Sequence, residues 1–226
     1  MNKTFFALAV ILLTVFFAAA QNEQAPLVQK EINYKNWTYK SVRTGEDVNL
    51  RDFAHGKKLV MIVYFAPWCH DWRADATMLQ KLYDKYHPAG LDIIAIGEYD
   101  PVASMKNNLD FMKITFPAVY ESENRTDKQT TKHYDYRRST GDTRNWGSPW
   151  YLFLEPSSIE KKGDTLTKKA FVINGEMIEA EGKKFIREKL GLPVVDTRSA
   201  TAKKGEIELC DPDKPAGLKI SPVKKP

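Results

Sequence analysis

The stretch Leu59-Val60-Met61-Ile62-Val63-Tyr64-Phe65-Ala66-Pro67-Trp68-Cys69-His70-Asp71-Trp72 decides how this chain reads. Residues 59–65 are uniformly apolar and rich in β-branched types, with no polar alternation. That pattern predicts a strand buried on both faces, as in the middle of a parallel sheet. Ala66-Pro67 closes it. Beyond Cys69, Trp72, Ala76, Leu79, Tyr83 and Tyr86 recur at steps of three and four, which predicts a helix with one apolar stripe. Asp71 and Asp75 fall in its first turns, where the helix dipole favours negative charge. His87-Pro88 and Gly90 stop it.

Cys69 therefore stands where a buried strand turns into a helix. A thiol there faces unpaired backbone N–H groups and the positive end of the dipole, a setting that lowers cysteine pKa values from about 8.5 to roughly 3.5–7.5. His70 adds positive charge when protonated, and an ionised Asp71 opposes the effect. The competing reading is an inert, buried cysteine.

Leu91 to Ile96 reads as a second buried strand. Asp100-Pro101 reads as a helix start, a capping side chain followed by proline, and Val102, Met105, Leu109 and Met112 form the inner face. Pro117 to Tyr120 is extended. Residues 121–146 contain no Leu, Ile, Val or Met, so they are expected to be a polar surface insertion that buries little. Gly147-Ser148-Pro149 leads into the strand Trp150 to Leu154. Lys169 to Ile173 and Met177 to Ala180 flank Asn174-Gly175, a hairpin signal. Phe185, Ile186 and Leu190 mark a last helix, ended by Gly191 and Pro193.

Upstream, Trp37 to Ser41 and Asp47 to Leu50 read as short strands around Gly45. Residues 21–38 form a polar N-terminal segment, mobile over 21–33. Residues 193–226, rich in Lys, Pro and Asp, read as a flexible basic tail that contains Cys210. At the other end, Lys3 precedes an apolar run from Phe5 to Phe17 and the small residues Ala18-Ala19-Ala20. Residues 1–20 thus read as a cleaved signal peptide, with an uncleaved anchor as the alternative. The expected location is secreted or periplasmic, with no stable membrane insertion after cleavage. Asn36-Trp37-Thr38 and Asn124-Arg125-Thr126 are glycosylation sequons in a eukaryotic host.

The chain has 226 residues, a net charge of +5 and a pI near 9.0. Its basic residues are interleaved with acidic ones, and no zinc-knuckle or aromatic RNA-binding pattern accompanies them, which argues against nucleic acid. His55, His70, His87 and His133 show no metal-ligand spacing, so no metal or cofactor is expected. With two cysteines, this is not a disulfide-stapled scaffold.

Alternating strands and helices imply an α/β fold. The stretch Lys57 to Met78, with its Tyr64-Phe65-Ala66-Pro67-Trp68-Cys69 turn, resembles the thioredoxin superfamily, and most closely the secreted TlpA/ResA-like branch. Gly147-Ser148-Pro149 resembles that family's cis-proline loop. The resemblance covers about residues 40–192, within an expected domain at 39–192. It implies a thioredoxin-like central mixed sheet flanked by helices, a cis Pro149 packed on the cysteine turn, and backbone groups of Ser148 offered to an extended peptide. Trp68, Trp72, Trp146 and Trp150 then converge on the site. Trp72 and Trp150 are expected to pack in the core and Trp68 and Trp146 to form a partly exposed rim, with Trp68, Trp72, Trp146, Ser148 and Pro149 as the candidate substrate-binding residues.

The family pattern is W-C-x-x-C, and here Trp72 occupies the last position. Cys69, with His70 beside it, lacks a resolving thiol in its own turn. The implied function is thiol–disulfide exchange with exported proteins or peptides through one cysteine, completed by an external thiol reductant or by Cys210. Two alternatives stand beside it: a redox-silent module that binds a protein in the same groove, and a static Cys69–Cys210 bridge. A peroxide-reducing site would want Thr or Ser where Ala66 stands, and C-x-x-x-C copper chemistry would want Cys where Arg73 stands.

Overall fold

The structure, a computed structural model, describes residues 23–193. The expected signal segment, Cys210 and the tail beyond Pro193 lie outside the described residues. Strands β1 (Gln24–Ala25), β2 (Val28–Lys35), β3 (Thr38–Ser41) and β4 (Asp47–Asn49) precede helix α1 (Leu50–Ala54). Then come β5 (Leu59–Phe65), α2 (His70–Tyr86), β6 (Leu91–Gly97), α3 (Val102–Phe111) and β7 (Ala118–Tyr120). The chain continues through α4 (Lys132–Ser139), β8 (Trp150–Leu154), β9 (Thr165–Ile173), β10 (Glu176–Met177) and α5 (Glu179–Lys189).

Eight strands form one sheet in the order β2-β9-β8-β5-β6-β7-β3-β4. Strand β5 lies at its centre, parallel to β6 from Leu59↔Leu91 to Phe65↔Gly97 and antiparallel to β8. The uniform apolarity of β5 is explained by this position, because both of its faces are covered. Leu59, Met61, Val63 and Phe65 pack with Trp72, Ala76 and Leu79 of α2, Met105 and Leu109 of α3, and Phe185 and Ile186 of α5. Val60, Ile62 and Tyr64 point the other way, onto Leu50 and Ala54 of α1, Ile32 and Tyr34 of β2, and Tyr136 of α4. Each large aliphatic side chain buried this way contributes about 1.5–3 kcal/mol. This is the thioredoxin-like α/β arrangement that the resemblance implies, a mixed sheet with helices on both faces.

Three expectations need correction. Residues 21–33 are not a mobile lead-in over the part described. Strand β2 pairs antiparallel with β9, and buried Ile32 and Tyr34 hold it to the sheet. The polar residues between them alternate outward, which hides the strand in a composition reading. Asn174-Gly175 does not make a hairpin. Strand β10 leaves β9 and pairs in parallel with β1, as Gln24↔Glu176 and Ala25↔Met177. A Cβ on Gly175 would collide with the carbonyl of Glu23, so this glycine admits a crossing backbone rather than a hairpin turn.

The third correction concerns 121–146. The segment does not merely sit on the surface. It forms a 3-10 turn (Arg125–Gln129) and α4, and buries Thr131, His133, Tyr136, Arg137, Thr140 and Asp142. Polar groups tolerate burial when hydrogen-bonded. His133 stacks on Tyr64 at 4.6 Å, and its Nδ1 lies 2.9 Å from the Tyr99 hydroxyl. The Tyr136 hydroxyl accepts the Lys35 N–H. Helix α3, finally, starts one residue later than expected, with Pro101 as its N-cap while Asp100 accepts the Ser104 hydroxyl.

Candidate active site

Strand β5 ends at Phe65, and a turn over Ala66–Trp68 delivers Cys69 as the N-cap of α2. The Cys69 N–H donates to the Ala66 carbonyl, which fixes the turn. No side-chain cap completes the N-terminus of α2, so its first N–H groups face the site. Opposite stands the Ser148–Pro149 loop, whose peptide bond is cis. One hydrogen bond and one close sulfur–oxygen contact join the two. The Ala66 N–H donates to Ser148 Oγ at 2.9 Å, and Cys69 Sγ lies 3.1 Å from the Ser148 carbonyl oxygen. Sequence separations of 82 and 79 residues are closed here because β8, which follows Pro149, pairs with β5.

In its burial Cys69 follows the competing reading of a buried cysteine rather than the reactive one. Its sulfur is buried among Phe65, Ala66 and Trp72, not exposed, and it is engaged in a disulfide. Cys210, the chain's other cysteine, lies outside the described residues.

The four tryptophans do converge. Trp72 and Trp150 are fully buried, whereas Trp68 and Trp146 are half-buried. The Trp72 indole packs on Phe65 at 4.5 Å and donates to Asn108 Oδ1 at 2.8 Å, so its place in the turn is structural. Asn108 also donates to the Pro67 carbonyl, tying α3 to the cysteine turn. Trp68 and Trp146 meet edge to face at 5.1 Å across the site. Cations from the 125–129 turn lie over both: Arg125 over Trp68 at 5.5 Å, and Lys128 over Trp146 at 4.5 Å.

The loop carrying Ser148 is braced by two arginines. Buried Arg137 donates to the carbonyls of Arg144 at 2.6 Å and Asn145 at 3.1 Å. Arg144 donates to the Pro149 carbonyl at 2.8 Å and pairs with Asp142 at 2.8 Å and Glu23 at 3.1 Å. Gly147 has φ +65°, and a Cβ there would strike the Arg137 side chain. Glycine is thus required both by the backbone conformation and by the space.

Two carboxyls on α2 are strongly perturbed. Asp71 is buried, and desolvation, reinforced by a hydrogen bond with Glu23, raises its pKa to about 8. At pH 7 it is largely neutral, so it does not oppose a thiolate at Cys69 as an ionised Asp71 would. Asp75 is raised to about 7, again mainly by desolvation, and accepts from the Tyr151 hydroxyl and the Met177 N–H. His70 projects outward, half-exposed, with Nδ1 3.6 Å from Asp71.

Sequence reading missed Glu23, Asp75, Arg137 and Arg144 as parts of this neighbourhood. Asp71 and Asp75 were visible as helix-start acids, but their burial follows from β1 and β10 crossing α2. The arginines sit in the stretch taken as solvated. Among the described residues, no group of acidic, histidine and cysteine side chains could hold a metal ion.

Comparison with known proteins agrees with this geometry. The profile of the AhpC/TSA family matches residues 24–178. Among curated protein sequences no match is found. Among solved structures, a thiol:disulfide interchange protein of the thioredoxin family from Chlorobium tepidum TLS aligns with TM-score 0.51 and 16% identity, over 72% of this chain and 98% of its own. A structure described as thiol:disulfide interchange protein DsbE from Chlorobium tepidum gives TM-score 0.50 and 17% identity, over 73% and 99%. The thioredoxin domain of a thiol-disulfide oxidoreductase from Bacteroides vulgatus gives 0.50 and 18%, over 71% and 99%. At these identities the likeness speaks for the fold, and the match over most of the described residues speaks for the lineage. The chain therefore belongs to the AhpC/TSA family and has its thioredoxin-like fold.

Proposed function

We propose that this is an exported thiol–disulfide exchange protein in which Cys69 is the reacting sulfur. The observation that carries this reading is the seating of Cys69: at the N-cap of α2, 3.1 Å from the Ser148 carbonyl beside Pro149, and already in a disulfide. The uncapped N–H groups of α2 stabilise sulfur as a leaving thiolate. Neutral Asp71 adds no opposing charge at pH 7.

Access decides which sulfur of a disulfide is attacked. Because Cys69 is buried, an incoming thiolate attacks the sulfur bonded to it, and Cys69 departs. Trp68, Trp146 and the Ser148–Pro149 loop form the rim against which an extended peptide pairs. Trp72 supports the turn from inside, and His70 stands at the outer edge. The partners are thiols and disulfides of exported proteins, with an external thiol to reset the pair. Export rests on residues 1–20; among the described residues no helix is long and apolar enough to cross a membrane.

The test is dithiothreitol-driven reduction of insulin disulfides by the secreted chain and by its Cys69→Ser variant. The variant is expected to fall to the uncatalysed rate with an unchanged circular dichroism spectrum. Equal rates would defeat the reading and favour the redox-silent binding module.

A further inference from the structure

We propose that Tyr99 is a redox-active tyrosine: a one-electron oxidation that strikes the Trp68–Trp146 rim passes to Tyr99, whose phenol proton moves to His133, so that the oxidising equivalent is drawn away from Cys69. The inference concerns one-electron chemistry and stands whether or not Cys69 exchanges disulfides.

Four observations support it. The first is contact. Trp68 adjoins Cys69 in the chain and meets Trp146 edge to face at 5.1 Å, and Trp146 meets Tyr99 at 5.4 Å. Aromatic rings at these separations touch. An electron therefore crosses from Tyr99 to Trp68 through two ring contacts, with no aliphatic spacer. Both tryptophans are half-buried, whereas Tyr99 is fully buried. The path runs from an accessible end to an enclosed one.

The second observation is a waiting base. An oxidised phenol is a far stronger acid than an imidazolium, so the radical settles where an acceptor can take its proton. The Tyr99 hydroxyl lies 2.9 Å from Nδ1 of buried His133 and 3.4 Å from Thr131 Oγ1. Burial, with Arg137 and Arg144 nearby, holds the His133 pKa well below its usual value, so the ring is neutral at pH 7 and has a lone pair to offer. The same depression returns the proton once Tyr99 regains an electron.

The third observation is where the path stops. Tyr64 stacks on His133 at 4.6 Å, but its hydroxyl faces the Tyr34 hydroxyl at 2.8 Å, which is no base, and Tyr34 also accepts from the Trp37 indole. Burial raises the pKa of both phenols. A hole reaching Tyr99 rests there and does not run on through the other face of the sheet. The fourth observation is strain. Tyr99 has φ +63°, a conformation costly to a bulky side chain. Its N–H donates to Ser122 Oγ at 3.0 Å, and Ser122 in turn donates to buried Glu98, which holds the residue in place. Strain retained at a buried aromatic points to use rather than to packing alone.

The oxidant is a diffusible one-electron radical such as azide or carbonate radical. It takes one electron from Trp146, or from Trp68 by way of Trp146, and becomes its anion. The oxidised indole then takes one electron from Tyr99, together with any N–H proton it has shed to water, and is whole again. In that event the Tyr99 O–H bond breaks and an N–H bond forms at His133 Nδ1, which leaves a neutral tyrosyl radical beside an imidazolium. A one-electron reductant such as ascorbate returns the electron, and the proton goes back from His133 to the Tyr99 oxygen.

The test is pulse radiolysis of the secreted chain at pH 7 with azide radical, which oxidises accessible indoles first. In the wild type the green band of the tryptophanyl radical should decay as the violet band of a tyrosyl radical rises, at one first-order rate independent of protein concentration. Tyr99→Phe should lose that rise. Tyr151→Phe, which removes a second buried tyrosine whose hydroxyl has a base, Asp75, should keep it. His133→Asn should slow the rise about tenfold, as loss of a hydrogen-bonded base implies, and deuterated water should slow the wild type more than this variant. An unchanged rise in Tyr99→Phe, or its loss in Tyr151→Phe instead, would overturn the proposal. A rise as fast in His133→Asn as in the wild type would overturn the part given to His133. Should Tyr99→Phe not fold, Trp146→Phe carries the test: removing the bridging ring should abolish the conversion, and wild-type conversion without it would overturn the path.

Discussion

At the scale of single residues, the chemistry depends on which groups near Cys69 carry charge. Asp71 and Asp75 have pKa values raised by burial to about 8 and about 7, far above the ordinary carboxyl range. A carboxyl whose folded pKa lies above its unfolded one stabilises the fold most when protonated. Its contribution is complete below about pH 4 and is lost as pH rises through 7 and 8. Asp75→Asn keeps an oxygen that can accept from the Tyr151 hydroxyl and the Met177 N–H but cannot ionise. We expect its urea midpoint to fall less than that of the wild type between pH 5 and pH 8, and parallel curves would contradict the assignment. The pair was half legible in the sequence. Both residues sit at a helix start, where acids are common, and nothing local announces that Glu23 and β10 seal them from water.

At the scale of elements, the cysteine turn was readable because its cause is local. A seven-residue apolar run, a Pro-Trp turn and a three-and-four stripe each follow from neighbouring residues. The loop opposite was readable only at Gly147-Ser148-Pro149. Its braces, Arg137 and Arg144, lie in a stretch whose polarity reads as solvent exposure, yet Arg137 is buried and donates from both terminal nitrogens to the carbonyls of Arg144 and Asn145. Gly147→Ala tests that brace. The new methyl forces the Arg137 side chain aside at a positive φ, and a cost of about 1–3 kcal/mol in urea unfolding is expected. Insulin reduction should fall with it as the Ser148 carbonyl shifts away from Cys69. An unperturbed variant would mean that the loop is held by β8 alone.

At the scale of the whole molecule, the α/β class followed from the alternation of elements, but the strand order and the edges of the sheet did not. Strand β2 lies at one edge and β3 with β4 at the other, set by partners far along the chain. The parallel β1–β10 pair was invisible because two-residue strands leave no periodic trace. That pair brings Glu23 to both Asp71 and Arg144, linking the start of the described chain to the site. Glu23→Gln removes one acid from this cluster, so the Asp71 midpoint, followed by carboxyl carbon NMR, should move down from about 8 while remaining above the ordinary range, because desolvation persists. A midpoint that does not move would show that Glu23 plays no part.

The central claim is that sulfur 69 exchanges. Its most direct measurement is the reaction of reduced Cys210→Ser protein with glutathione disulfide at pH 7, followed by intact mass and peptide mapping. The account predicts one glutathione on Cys69, attached about threefold faster than to an ordinary surface thiol, since a raised thiolate fraction at this pH outweighs the accompanying loss of nucleophilicity. A protein that stays unmodified, or that reacts only at the ordinary rate, would contradict it.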